Sequence, residues 1–339
     1  KVAHIGPLER NRGEPVSYEN DYSTDIFTRE AVDFLKRDHG GKPFYLHLSH
    51  NAVHHPTYLN KPEYAARFGV TDPPWNREEK PWLFPFWDPE QEPYKVWHRK
   101  WGHLEAVDPL GRKRYLACLH GLDLGVGRVL DTLEQQKLTG NTLVILLSDN
   151  GGTINTYANN TPLRGYKYMF GEGGIRIPLL VSWPGQLPKG RSLDGMVSAM
   201  DLFPTLVEVL GAKAPAKFDG RSLWRRLASE PEDPPAPLHR ELCWSSGKGD
   251  WVIRRDHWKL INSTGWDHES YRLADGVARP GPNDTYPAGL LLFDLARDPG
   301  ESRNLAKQHP DRVAELEAVW KKWRATMGEP VRGKKRPGS

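Results

Sequence analysis

The sequence predicts an α/β fold: a central, mostly parallel sheet flanked by helices, then a small antiparallel sheet and a last helix. Three observations predict it. A brief apolar run from Leu143 to Leu147, too short for a helix and rich in Val and Ile, stops abruptly at Ser148-Asp149-Asn150-Gly151-Gly152. That is the pattern of a buried strand delivering polar residues at its carboxyl end. Ahead of it, Tyr115, Leu119, Leu122, Val126, Val129 and Leu133 recur at alternating fours and threes, which predicts an amphipathic helix lying against the sheet. Late in the chain, ELCW (from Glu241), DWVIRRDHWKLI (from Asp250) and GLLLFDL (from Gly289) read as strands joined by polar loops.

Taken in order, residues 1–22 are polar and irregular. Ser23 or Thr24 can cap a helix whose face is Phe27, Ala31, Phe34 and Leu35, ended by Gly40-Gly41. Pro43 to Ser49 reads as a strand that stops at the polar cluster His50-Asn51-Ala52-Val53-His54-His55-Pro56. Residues 72–109 form a Pro- and Trp-rich insert containing Trp75, Trp82, Trp87, Trp97 and Trp101, five of the 13 tryptophans. Such an insert is either an apolar cluster packed on the main domain or a wall of a pocket, a use to which loops of this length are often put. Gly140 is the expected end of the Tyr115–Leu133 helix. After the 143–147 strand comes Gly171-Glu172-Gly173-Gly174, read as a second flexible turn, and then a strand from Ile177 to Trp183. Asp201 can cap a helix carrying Leu202, Leu206, Val209 and Leu210, closed by Gly211. Four prolines between Pro231 and Pro237 mark a linker, and Val313, Leu316, Trp320 and Trp323 mark the last helix. The resulting organisation is a main domain over 1–235 with the insert at 72–109, a small subdomain over 236–327, and a disordered basic tail over 328–339.

Composition narrows the class. With 339 residues, 38% of them hydrophobic, and 32 Gly and 29 Pro, the chain suits a large globular domain with long loops plus a small one. No aliphatic run is long enough to span a bilayer. The opening Lys1-Val2-Ala3-His4 does not read as a signal peptide. Of the formal charge of +4, the tail supplies +3 through Arg332, Lys334, Lys335 and Arg336 against Glu329, so +1 remains for the body. A nearly neutral body argues against nucleic acid as a partner. Cys118 falls within the helical pattern and reads as a small buried residue, and a disulfide with Cys243 is left open.

The chemistry concentrates at the end of the 143–147 strand. Asp149 and Asn150 are hard oxygen donors where ligands gather in open α/β sheets, and they suit Ca²⁺ or Mg²⁺ better than a soft metal. Pro162-Leu163-Arg164-Gly165-Tyr166-Lys167 adds two cations.

SDNGG, then PLRGYK, then GEGGIRIPLLVSWPG closely resembles the sulfatase family of the alkaline-phosphatase superfamily. The resemblance extends upstream through Tyr22-Ser23-Thr24-Asp25, Lys42-Pro43-Phe44-Tyr45-Leu46 and Asn51 to Pro56. Downstream it takes in DLFPTLVEVLG (from Asp201), Trp258-Lys259-Leu260 and LFDLARDPGESRNLA (from Leu292). It implies an alkaline-phosphatase-like sandwich with a small C-terminal antiparallel sheet and helix. Asp149 and Asn150 would then be metal ligands, with the metal acting as a Lewis acid on sulfate oxygens. Lys167 would bridge the sulfate and the leaving oxygen, and His54 would donate a hydrogen bond or proton there, with His55 as its substitute one register along. Arg164 is a candidate substrate contact, set against a structural role, shared with Arg176, of pairing with Glu172 or loop carbonyls. Trp87 and Trp97 are candidates for stacking on a sugar ring.

The family's nucleophile is a formylglycine made within a Cys/Ser-x-Pro-x-Arg motif. Cys118 and Cys243 lie in no such motif, and Ser182-Trp183-Pro184-Gly185-Gln186 lacks the arginine. The expectation is therefore a C-terminal portion of a sulfatase-like enzyme, truncated in its sheet and inactive alone. Its complete form would hydrolyse a sulfate ester, with a sulfated small molecule or glycan as its partner. Two alternatives are weighed: a phosphatase, phosphodiesterase or phosphonate hydrolase of the same fold, and a non-catalytic sulfated-glycan-binding protein. Family habit places such a protein in a secreted or periplasmic setting.

Overall fold

The computed structural model describes the backbone of two short strands at 8–9 and 15–16. It also describes residues 21–54, 57, 60–71, 110–153, 156–214, 217–229, 236–246, 249–265 and 286–328. The insert at 72–109, His55, the proline-rich stretch at 230–235 and the tail beyond Gly328 lie outside the described residues. The chain divides into two compact units, each taken here by itself.

In the first unit, β1 (Leu8–Glu9) and β2 (Pro15–Val16) pair antiparallel. Helix α1 spans Ser23–Leu35, α2 Pro62–Ala66 and α3 Gly111–Gln135. The expected faces are only partly those that pack. Of the face expected on α3, Leu133 is buried, Tyr115, Leu122, Val126 and Val129 are half-buried and Leu119 is exposed, while Ala117, Cys118, Gly121 and Gly125 are buried. The reason is close approach. A Cβ at Gly121 would lie 2.9 Å from the Tyr64 ring, and one at Gly125 would lie 2.5 Å from Thr28 Oγ1. The small-residue stripe, not the leucine stripe, lets α1 and α2 come near. Helix α1 correspondingly buries Thr24, Asp25 and Thr28 beside Ile26, Ala31 and Leu35. Asp25 ties the three helices together: Lys61 Nζ lies 2.7 Å from Oδ2, Tyr64 donates its hydroxyl to Oδ1 at 2.9 Å, and Arg128 Nη1 is 3.7 Å away. Burial, then the bond to Asp25, pushes the Tyr64 phenol up to about 12.

Two further expectations change. No strand forms at Pro43–Ser49; the side chains alternate between half-buried and exposed as a strand's would, but the backbone joins no ladder among the described residues. Nor does Gly140 stop α3. The helix ends at Gln135, and Lys137 takes the left-handed conformation (φ 58°) before a 3₁₀ turn at Thr139–Asn141. Strand β3, Val144–Leu147, forms where expected but is not buried, since Val144 and Ile145 are half-buried and Leu146 and Leu147 exposed.

The second unit holds β4 (Leu179–Ser182), short helix α4 (Glu172–Ile175), α5 (Leu202–Val209) and α6 (Trp224–Ala228). Gly211, at φ 59°, closes α5 as its sequence suggests. Asp201 holds the N-cap position of α5 as expected, but its side chain makes no capping bond to that helix. It is fully buried, accepts the Ser198 and Arg221 N–H groups, and binds His239 Nε2 at 2.8 Å. The C-terminal strands form one antiparallel sheet, β5 (Glu241–Ser245), β6 (Trp251–Arg255), β7 (Trp258–Ser263) and β8 (Gly289–Asp294), in sequence order. Its register aligns Ile253, Leu260 and Leu292 on one face. Leu316 of α7 (Pro310–Thr326) completes that core, where Trp320 stacks on Trp251 at 4.3 Å. On the opposite face the same register aligns Arg254, Lys259 and Phe293. Both thiols, Cys118 and Cys243, are free. Among the described residues no helix is long and apolar enough to cross a membrane.

Candidate active site

The second unit brings together the two loops that sequence reading singles out. Just past β3, Ser148 donates its hydroxyl to the Asn150 carbonyl at 2.8 Å, and Asn150 Nδ2 donates to the Gly151 carbonyl at 2.8 Å. With its amide nitrogen committed, Asn150 has Oδ1 to offer a cation, next to the exposed Asp149 carboxylate. Gly151 is buried and donates its N–H to the Gly174 carbonyl at 3.0 Å. A Cβ at Gly151 would fall on the Gly173 carbonyl oxygen, so only glycine permits this docking.

The partner loop runs from Asn160 to Gly174. Its ends are tied by Gly173 N–H donating to the Arg164 carbonyl at 2.7 Å. Tyr166 and Met169 are buried within it. Lys167 is half-buried, with Nζ 5.5 Å from the centre of the exposed Tyr168 ring. The Gly171–Gly174 segment is not a flexible turn. All four residues are buried, and the short helix α4 packs its glycines against backbone.

Glu172 and Arg164 both turn toward the C-terminal sheet. Glu172 pairs with Lys259 at 2.9 Å and Arg254 at 3.2 Å. Arg164 donates to the Glu301 carbonyl at 2.6 Å and lies 4.0 Å over the Tyr286 ring. This is the anchoring to loop carbonyls weighed against a substrate contact. Lys259, fully buried, also pairs with Glu301 at 2.8 Å. Burial alone would raise both carboxyls. Lys259 and Arg254 outweigh it at Glu172, which is lowered, while burial prevails at Glu301, which is raised. The three segments stand out in the sequence, but nothing local in any one of them announces the pairing. The available signal is a lysine in an apolar strand, WKLI, together with two acids in glycine turns.

His54 belongs to the first unit, where it is exposed and donates its backbone N–H to the Asn51 carbonyl at 2.8 Å. Trp87 and Trp97 lie outside the described residues. Among the described residues no group of three or more His, Cys, Asp or Glu side chains could hold a metal. Asp149 and Asn150 suit a hard divalent cation in kind, but they supply two of the roughly six to eight oxygens calcium takes.

The family model described as Sulfatase matches residues 4–212. The chain belongs to the sulfatase family. A second model, N-sulphoglucosamine sulphohydrolase, C-terminal, matches residues 165–281 of this sulfatase-family chain. Among curated relatives, arylsulfatase J of Mus musculus is 25% identical over 336 residues, covering 91% of this chain and 50% of its own. Steryl-sulfatase of the same species is 30% identical over 252 residues, 61% of this chain and 40% of that one. N-acetylgalactosamine-6-sulfatase of Canis lupus familiaris is 27% identical over 296 residues, 82% of this chain and 47% of that one. The chain thus spans about half the length of these relatives. Among solved structures, Ps i-CgsB in complex with k-i-k-neocarrahexaose superposes with a TM-score of 0.68 at 27% identity, covering 96% of this chain and 59% of that one. BT4656 in complex with its substrate D-glucosamine-2-N,6-O-disulfate gives 0.65 at 17% identity, covering 98% and 75%, a likeness that speaks to the fold. The fold is that of the alkaline-phosphatase-like α/β proteins.

Proposed function

We propose that the protein this chain belongs to hydrolyses sulfate esters of a carbohydrate, with a divalent cation and formylglycine as the family implies, in a secreted or periplasmic setting. The observation that carries the reading is the docking of two loops through the Gly151–Gly174 hydrogen bond, which holds the hard donors Asp149 and Asn150 in one unit with the ammonium of Lys167. The cation, when bound, would be held in part by Asp149 and Asn150 and would polarise sulfate oxygens. Lys167 would set positive charge beside the bridging oxygen as the S–O bond breaks. His54 would supply the proton that the departing alkoxide takes up. Trp87 and Trp97 would offer indole faces to a sugar ring.

The test is made in a form of the protein carrying the Cys/Ser-x-Pro-x-Arg segment, which these 339 residues lack. Lys167→Ala and His54→Ala should each cut kcat by roughly a hundredfold with less change in KM, as for groups that act in the transition state. Asp149→Ala should weaken Ca²⁺ binding and turnover together. Calcium titrations identical to wild type would remove Asp149 from the site. The 339 residues alone should turn over no aryl sulfate.

A further inference from the structure

We propose that Lys259 is a positioning residue for both site loops, anchoring them to the C-terminal sheet through Glu172 and Glu301. The inference rests on the reading that Lys167, Asp149 and Asn150 act at one site. Its basis is a chain of contacts inside the second unit. Lys259 is the second residue of β7, fully buried, between Arg254 of β6 and Phe293 of β8 on the sheet face away from α7. Its Nζ holds Glu172 Oε1 at 2.9 Å and Glu301 Oε1 at 2.8 Å. The Glu172 backbone N–H donates to Glu301 Oε2 at 2.7 Å, and the Tyr286 hydroxyl donates to the same oxygen at 3.2 Å. Arg164 grips the Glu301 carbonyl. Both ends of the 164–172 segment are therefore fastened to Glu301, the partner of Lys259, and the Lys167 loop is closed between them by the Gly173–Arg164 hydrogen bond. One residue beyond Gly173, the Gly174 carbonyl holds Gly151, next to Asn150.

A buried ion cluster is a poor way to gain stability, because apolar side chains of similar volume do as well or better. What it supplies is geometry: Lys259 donates a hydrogen bond to Glu172 and sits as an ion pair against Glu301, whose Oε1 accepts no hydrogen bond among the described residues, so the ammonium is held between two carboxylates in a single arrangement. An apolar contact between α4 and β7 would tolerate sliding by fractions of an ångström. A site that must present an ammonium to a sulfuryl oxygen does not tolerate it.

Hydrogen exchange on the 339-residue chain tests this, comparing peptides over 148–152 and 164–176 with peptides from α7. Lys259→Met should speed exchange in both loops tenfold or more while α7 changes less than twofold, and Lys259→Arg should restore most of the protection. Equal acceleration across the unit, or none in the loops, overturns the proposal. Should Lys259→Met not fold, Glu172→Gln replaces it. That variant keeps the shape and leaves Lys259 its Glu301 partner, and the same loops should loosen; unchanged loops overturn the proposal. In the form carrying the formylglycine segment, Glu172→Gln should lower kcat more than it raises KM, and unaltered kcat despite loosened loops would also overturn it. Lys167→Ala separates the two readings. It should leave loop protection as in wild type while turnover falls. Retained turnover there would remove the role of Lys167 and leave the exchange result on Lys259 standing.

Discussion

The C-terminal sheet and the α1–α3 helix pair both bury their contact faces, but with opposite kinds of residue. In the sheet, Ile253, Leu260, Leu292 and Leu316 are fully buried against one another, and large apolar side chains carry the contact. Between α1 and α3 the contact runs through Gly125, Thr28 and Asp25, with Gly121 meeting Tyr64 of α2, while Leu119, Leu124 and Leu130 of α3 are exposed. The sheet is held by volume and the helix pair by fit. Where volume holds, removing atoms costs most; where fit holds, adding them does.

The largest effect should therefore come from truncation in the sheet. Leu260→Ala should cost about 2–5 kcal/mol, since a fully buried leucine loses its transfer energy and leaves a cavity. Leu130→Ala, at a residue 45% exposed, should stay within about 0.5 kcal/mol. Urea unfolding of the two variants checks this, and comparable losses would erase the distinction.

Addition to the helix pair should come next. In a helix interior, Gly→Ala ordinarily stabilises by roughly 0.5–1 kcal/mol. At Gly127 a Cβ meets nothing within 4 Å, so Gly127→Ala should show that gain. At Gly125 the Cβ would meet Thr28 Oγ1 at 2.5 Å, and that hydroxyl is committed to the Thr24 carbonyl at 2.7 Å. Gly125→Ala should destabilise by about 1–3 kcal/mol, as overpacking does. Two identical substitutions two residues apart should thus differ in sign; a shared sign would mean that the helices can move apart at little cost.

The same contrast explains what could be read from sequence. The C-terminal strands and α7 were legible because apolar residues fill them at strand and helix spacing. The α3 periodicity was legible too, but weighting Leu and Val pointed beside the most buried stripe: of the expected face only Leu133 is buried. Ala117, Gly121 and Gly125 recur every four residues with equal regularity, and only a neighbour at close range gives glycine spacing meaning. At the site, SDNGG and PLRGYK stand out as motifs, and Ser148–Gly151 and PLRGYK lie in the second unit. The partners of Glu172 did not stand out. Lys259 is 87 residues away in sequence, and only the sheet register brings it to Glu172. The strand expected at Pro43–Ser49 failed for a related reason: alternation is local, whereas a ladder needs a second strand.

The smallest effect compares how readily the two regions open. Burial pushes the thiols of both Cys118, on the α3 small-residue face, and Cys243, on edge strand β5, up to about 12 from an ordinary 9.0. The thiolate is the nucleophile, so at pH 8 alkylation by iodoacetamide should run roughly a thousandfold slower than in the unfolded chain. The sign for stability follows from the same shift. A thiol whose folded value is raised contributes stability that is fully present below about 9 and is lost as pH climbs toward 12. The two sites should part in how they are reached. Cys243 is half-buried on an edge strand and can react after slight local fraying. Cys118 is fully buried and donates its Sγ–H to the Thr57 carbonyl at 3.3 Å, so it should react only when the packing around α3 opens. Mass-spectrometric labelling should therefore find Cys243 modified first, with Cys118 following at a rate that Gly125→Ala accelerates and Leu260→Ala leaves alone. Cys118 reacting first, or its rate ignoring Gly125→Ala, would mean that the small-residue face opens without separating the helices, and fit would not be what holds that region.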